Sequence, residues 1–208
     1  MKQIIGYDNN GTLYDTGLEI IRKVKPEYFS EIKKIIFHLK QNGSRLSGLV
    51  KTRIDKKENI LKHKKYVISY PFEWTANMLK DAAVFHLNFL EKLDKCNLTL
   101  KDALPNNIVF DFTKPVFVDF LSILFKDRLT AEKWLDFSKY TEPRFVVLDK
   151  MFFPFFFMPL LLLYERKFGA ARRMLFNRAC NCGSHPENWS EVNTPQLKKF
   201  IESFNFKN

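Results

Sequence analysis

Asp102, Asn107 and Asp119 are the residues of this chain whose types and spacing point most directly at chemistry. An acid is followed five positions on by an amide, and a second acid follows twelve beyond that, with the apolar runs Ile108 to Phe110 and Val116 to Val118 beside them. An amide and a carboxylate supply the oxygen ligands that a hard cation such as Mg²⁺ takes. A further carboxylate near a hydroxyl can orient it or accept its proton. These are the needs of in-line phosphoryl transfer, where the protein mainly positions the acceptor and neutralises phosphate charge. Asp102 is then the expected catalytic residue, and Asn107 and Asp119 the expected Mg²⁺ ligands. A hairpin turning over Asp111 to Pro115 returns the chain, so that Asn107 and Asp119 converge. Each residue alone has a plainer reading, because Asp and Asn commonly bond nearby backbone N–H groups in turns and caps. Their joint spacing, with Lys101 and Pro105 in place, favours the site.

The elements that must hold these residues are legible by pattern. Ile4 to Tyr7 and Thr12 to Tyr14 flank Asp8-Asn9-Asn10-Gly11, a turn suited to residues that tolerate positive φ. Leu18 to Val24 reads as a third strand. Pro26 opens a helix running to about Gln41, with Phe29, Ile32, Ile36 and Leu39 at helical spacing, and Asn42-Gly43 stops it. Leu46 to Ile54 is a weaker strand, and Tyr66 to Tyr70 a buried strand ended by Pro71. A long helix from about Thr75 to Lys95 carries the stripe Leu79, Ala82, Ala83, Leu87, Leu90 and Leu93. Further helices are expected at Thr130 to Ser138, Arg144 to Tyr164, Phe168 to Asn177 and Thr194 to Phe204. Strands early and helices late give an α+β class. Residues 1–70 are expected to form a small strand-rich half with one helix, and residues 71–208 a mainly helical half carrying the catalytic and metal loops.

Composition sets limits around this. The chain has 208 residues, 46% of them hydrophobic, with 22 Phe, which excludes a disordered protein. Its formal charge of +11 suits anionic partners such as nucleotides. Runs such as Lys62-His63-Lys64-Lys65 read instead as solvated faces and loop tips, so nucleic acid is not an expected partner. Cys96, Cys180 and Cys182 make no disulfide framework, and Cys180-Asn181-Cys182 with His185 is too tight and too poor in ligands for a zinc site. The N-terminus carries no apolar leader, which predicts a cytoplasmic protein. The apolar run Met151 to Tyr164 falls short of the ~20 residues of a spanning helix and contains Pro154 and Pro159. It reads as a buried helix. Arg166, Lys167, Arg172 and Arg173 behind it leave peripheral membrane contact as the alternative.

The run Lys101-Asp102, Pro105, Asn107 and Val118-Asp119-Phe120 resembles the catalytic and metal-binding loops of the protein-kinase-like superfamily. The elements before it follow the order that resemblance implies: hairpin, strand, helix, strand and long helix. It implies a small antiparallel sheet lobe, a helical lobe, and bound ATP and Mg²⁺. Tyr66 to Tyr70 would lead into the inter-lobe hinge, with Ser69 and Tyr70 meeting the adenine. Arg22 or Lys23 would contact phosphates, paired with Glu27 or Glu31, and Tyr7 to Thr12 would replace the phosphate-covering loop.

A second set of motifs is similar to the N-terminal region of bacterial proteins described as class I SAM-dependent methyltransferases, nodulation-type ones among them. It comprises Ile68-Ser69-Tyr70-Pro71-Phe72-Glu73-Trp74, Met78-Leu79-Lys80-Asp81-Ala82-Ala83, Leu100-Lys101-Asp102-Ala103, Pro115-Val116-Phe117-Val118-Asp119 and Phe156 to Leu161. The chain has only 7 Gly and no glycine-rich turn after a strand, so no SAM site is expected.

The kinase pattern is incomplete. Leu100, Leu104 and Leu121 stand where that superfamily has a His, a basic or small polar residue, and a Gly. Neither a Gly-x-Gly-x-x-Gly loop nor a Val-Ala-Ile-Lys strand is present. Two expectations follow. One is an ATP–Mg²⁺-binding phosphotransferase acting on a small-molecule or glycan-type acceptor. The other is a non-catalytic, pseudokinase-like module that accompanies a methyltransferase domain or chain, binding it or its substrate.

Overall fold

A computed structural model describes residues 3–8, 10–41, 46–129, 142–177 and 194–206. The helix expected at 130–138 and the cysteines at 180 and 182 lie outside the described residues. The fold is α+β, with an antiparallel sheet at the N-terminal side and helices following it.

Five strands form the sheet: β1 (Gln3–Asp8), β2 (Gly11–Asp15), β3 (Glu19–Val24), β4 (Thr52–Asp55) and β5 (Ile60–Lys64), in spatial order β1-β2-β3-β5-β4. Helix α1 (Pro26–Gln41) connects β3 to the segment before β4 and buries Phe29, Ile32, Ile35 and Leu39. The β5 strand departs from expectation. Its lysines suggested a solvated run, yet Leu61 and His63 point inward while Lys64 is exposed, the alternation of a half-buried strand. Tyr66 to Tyr70 is not the expected buried strand. It makes no strand pairing and leaves Val67 86% and Ile68 65% exposed.

Pro71–Glu73 makes one 3₁₀ turn, and α2 (Ala76–Lys95) starts at Thr75, whose Oγ1 accepts from Met78 N at 3.1 Å. Short strands follow: β6 (Leu98–Leu100), β7 (Ile108–Asp111), β8 (Lys114–Phe117) and β9 (Ile123–Phe125), with β6 pairing β9 and β7 pairing β8. The β7–β8 hairpin is therefore flanked by a second antiparallel pair, and the loops bearing Asp102, Asn107 and Asp119 emerge between the two.

The helices α3 (Lys126–Leu129), α4 (Pro143–Val147), α5 (Met158–Tyr164), α6 (Phe168–Asn177) and α7 (Thr194–Glu202) complete the order. A π-helical stretch, Leu148–Phe157, joins α4 to α5 and contains Pro154. A widened turn of this kind accommodates a proline's missing N–H. By length and composition the continuous Arg144–Tyr164 helix would suffice to cross a bilayer, but 61% of its most apolar window is buried inside the protein. Phe152 and Phe156 are fully covered there and lie against His86 of α2, at ring-centroid distances of 5.7 and 4.9 Å.

One buried cluster runs through both halves, from Val24 and Leu61 of the sheet to Phe117, Phe152 and Phe204. The halves also share main-chain bonds. Phe117 N donates to Gly48 O at 2.7 Å and Val50 N to Phe117 O at 2.9 Å, so the segment before β4 is stitched to β8. Gly48 is required at this seam. Its φ is +93°, and a Cβ there would fall 2.2 Å from Cε2 of Phe85.

Candidate functional site

The inner end of a cleft between the sheet and the β7–β8 hairpin gathers three of the residues singled out by sequence. In β3 the alternation puts Val24 and Arg22 inward and leaves Lys23 exposed. Arg22, only 8% exposed, rather than Lys23 is therefore the one of the two that reaches the cleft. Its Nη1 lies 3.3 Å from Oδ1 of Asp119. Glu31 is engaged elsewhere, by Lys34 at 3.6 Å and Arg128 at 3.8 Å.

Asp119 caps a 3₁₀ turn, Phe120–Ser122, directly after β8. Ser122 Oγ donates to Oδ2 at 2.6 Å. Oδ1 is buried and accepts no hydrogen bond, leaving the Arg22 charge as its compensation. Asn107 ends the Pro105–Asn107 turn, and its backbone oxygen accepts from Val118 N at 2.8 Å. That bond holds Asn107 beside the residue preceding Asp119. Asn107 Nδ2 donates to the carbonyl of Asp102 at 2.8 Å. The acceptor is a carbonyl, so the amide orientation is fixed chemically, and Oδ1 is left as the acceptor atom of a residue that lines the cleft.

Asp102 thus enters the arrangement through its backbone, which orients Asn107. Its side chain is half-buried and does not line the cleft. The neighbouring Lys101 lines a second cavity of about 800 Å³, shared by α1 and the segment from Leu121 to Arg128 and polar along Glu27, Ser30 and Lys34.

The cleft itself encloses about 870 Å³. Leu13 and Ile20 of the sheet face Val109 and Val118 of the hairpin across it, and Tyr66, Val67 and Ile68 run along its edge. Ser69 and Tyr70, the expected cofactor contacts, lie beyond that edge. Ser69 Oγ accepts from Trp74 Nε1 at 3.0 Å, and Tyr70 N donates to Glu73 Oε2 at 2.7 Å. The Tyr70 ring stacks on Phe72, centroids 5.5 Å apart and 3° from parallel. These contacts fix the entry into α2, which is the structural task of Glu73-Trp74.

Three cleft residues escaped sequence reasoning. Lys65 Nζ lies 2.7 Å from Asp15 Oδ2 across the mouth, and that bond holds the Asp15 carboxyl below its ordinary range. The third, His63, lines the inner wall and meets Thr52 through Nδ1. Inward alternation on β5 was the available signal, hidden by the surrounding lysines. Lys80 also gains a role outside the cleft, since its Nζ donates to Phe204 O at 3.1 Å and ties α2 to the end of the last helix.

Burial pushes His63 down to about 4, with the Arg22 charge adding to the effect, and pushes the fully covered His86 down to about 3. Both are neutral in the fold, whereas an unfolded histidine titrates near 6.5. Below that pH the unfolded chain binds more protons. Stability is therefore highest above pH 6.5 and falls as pH drops towards 4, by up to about 1.4 kcal/mol per pH unit for each histidine. Urea midpoints measured between pH 7.5 and 4.5 should trace this loss, and His86→Leu should flatten it. An unchanged slope in that variant would mean that His86 is not the buried neutral base described.

No family model matches the chain. The structure of vaccinia related kinase 3 is similar to it at 13% identity and a TM-score of 0.41, over 61% of this chain and 48% of that one. Over 82 residues the chain is 38% identical to nodulation protein NoeA of Rhizobium meliloti (strain 1021), a stretch that is 39% of this chain and 17% of that protein, so the likeness ties part of the chain to a nodulation protein and does not extend to that protein's whole length.

Proposed function

We propose that the protein is kinase-like, binds ATP with Mg²⁺ in the cleft, and transfers phosphate to a small-molecule or glycan-type acceptor. The observation that carries this reading is the meeting of Arg22, Asn107 and Asp119 at the inner end of an apolar cleft. The apolar walls suit a planar base, and the exposed backbone of Tyr66 to Ile68 suits its polar edge. Arg22 suits phosphate.

The donor set fits a hard cation. Asp119 Oδ1 is a carboxylate oxygen beneath the cleft that accepts no hydrogen bond, and Asn107 lines the same cleft with its Nδ2 engaged and its Oδ1 left as acceptor. Among the described residues no group of three or more His, Cys, Asp or Glu gathers, so the remaining ligands would come from phosphate and water, as Mg²⁺ prefers. Bound there, Mg²⁺ would neutralise charge on the phosphate oxygens, held by Asn107 and Asp119. Asp102 holds Asn107 in place through its carbonyl, and this reading assigns its carboxylate to the acceptor hydroxyl. The polar cavity beside Lys101 is of a size for a small hydroxylated acceptor.

Millimolar MgATP at about a hundred times its Kd should raise the melting temperature by about 5–10 °C. ATP turnover should be lost in Asp102→Ala while that rise remains. Absence of any rise in the wild type would rule out the nucleotide reading. One observation favours a second reading, a non-catalytic module accompanying a methyltransferase: Arg22 and Ser122 between them engage both oxygens of Asp119. A rise in melting temperature without turnover in the wild type would select it.

A further inference from the structure

The protonation of His63 can be deduced from its neighbours. Thr52 Oγ1 donates its single hydrogen to Val50 O at 3.0 Å. With that hydrogen on the carbonyl, the 2.9 Å contact between Thr52 Oγ1 and His63 Nδ1 places a hydrogen on Nδ1, the tautomer this inference takes. A neutral imidazole with its proton on Nδ1 presents Nε2 as a bare lone pair. Burial beside the Arg22 guanidinium keeps the ring neutral at ordinary pH. Among the described residues Nε2 meets no hydrogen-bond donor, yet it is not one of the polar atoms sealed away from solvent. It opens on the cleft that His63 lines.

Its position in the sheet says what would meet it. His63 lies opposite Ile20 in the β3–β5 register, two residues from Leu61, which lies opposite Arg22. The imidazole therefore stands between the charged end of the cleft and the Tyr66–Ile68 edge, at the inner side of the slot formed by Ile20 and Val118. A flat ring in that slot would turn one edge towards Nε2.

We propose that His63 Nε2 is a specificity-determining acceptor that selects a base with an amino group at its inner edge, a 6-amino purine over a 6-oxo purine. The inference rests on the nucleotide reading above. A 6-amino group donates to the lone pair, while a 6-oxo group sets acceptor against acceptor in a half-dry pocket, where an unmade hydrogen bond is costly.

The test titrates the full chain with MgATP and with MgITP, which differ at that edge. The wild type should bind MgATP roughly tenfold to hundredfold more tightly. His63→Leu removes the acceptor and should bring the two affinities within about twofold of each other. His63→Gln, whose amide can turn either way, should also narrow the ratio, and it carries the comparison if the leucine variant fails to fold by thermal melt. A preference retained undiminished in the folded variants would overturn the role of His63 and pass base selection to the Tyr66–Ile68 backbone, leaving nucleotide binding intact. Equal affinities in the wild type would overturn it as well. Binding of neither triphosphate would overturn both the inference and the reading beneath it.

Discussion

Asp119→Ala should remove half or more of the stabilisation given by MgATP and also weaken the free protein by about 2–4 kcal/mol. The two effects have different origins. In the free protein Asp119 faces Arg22, whose side chain is only 10% exposed, and it accepts from Ser122, which is 2% exposed. Truncation withdraws a carboxylate from a buried guanidinium and an acceptor from a buried hydroxyl, and both losses fall on the folded state. In the proposed complex it would also remove a charged oxygen assigned to the cation, which should lower MgATP affinity roughly tenfold to hundredfold. Asp119→Asn separates the two. Its carbonyl still accepts from Ser122, but its net charge is gone, so it should recover part of the stability and little of the Mg²⁺-dependent affinity. Urea melts of the free variants and calorimetric titration with and without Mg²⁺ give both numbers. Full MgATP affinity in Asp119→Ala would remove this residue from the site.

Phe117→Ala should be the most destabilising single truncation in the hairpin, costing about 3–5 kcal/mol and lowering the melting temperature by about 10 °C. The ring is fully buried and lies against Phe89 of α2, centroids 5.2 Å apart. The same residue makes the main-chain bonds to Gly48 and Val50. A cavity here opens where sheet, hairpin and α2 meet, so the surroundings cannot collapse into it from one side alone. Phe112 supplies the control. It sits at the tip of the same hairpin with φ of +57° and is 97% exposed, so Phe112→Ala should change stability by no more than about 0.5 kcal/mol. Chemical denaturation of the two variants side by side tests the contrast. Similar small losses in both would mean that the halves are not joined at Phe117.

Much of the framework was legible because it repeats a pattern over enough residues. Pro26–Gln41 has both a start signal and an apolar stripe, and the structure places the helix at those bounds. The β7–β8 hairpin likewise has two apolar runs around an obvious turn. Tyr66 to Tyr70 misled because a β-branched and aromatic run signals a strand only when a partner strand is available, and here the pairing stops at Lys64. The strands β6 and β9 are three residues each, too short for any period, and exist by virtue of pairing with one another. For the site, sequence brought out the spacing of Asn107 and Asp119 but left Arg22 and Lys23 as equals. Only the register against β5, which sets Arg22 opposite the fully buried Leu61, settles the phase of that alternation. His63 was invisible for a related reason: a histidine among lysines has the composition of a surface, and its burial is a property of the sheet as a whole.

The stitch between Gly48, Val50 and Phe117 has a mechanical consequence. The sheet is attached to the helical half along the chain at residues 65–70, and a second time, away from that connection in sequence, by these backbone bonds. Further contacts join the halves away from both, His38 Nε2 with the Cys96 carbonyl at 2.7 Å and Lys64 Nζ with Asp111 Oδ2 at 2.9 Å, so the sheet is riveted to the helical half rather than hinged on it. The Arg22–Asp119 pair is the rivet that lies at the cleft. A charged guest entering the cleft would loosen or tighten that one while the others stayed as they were.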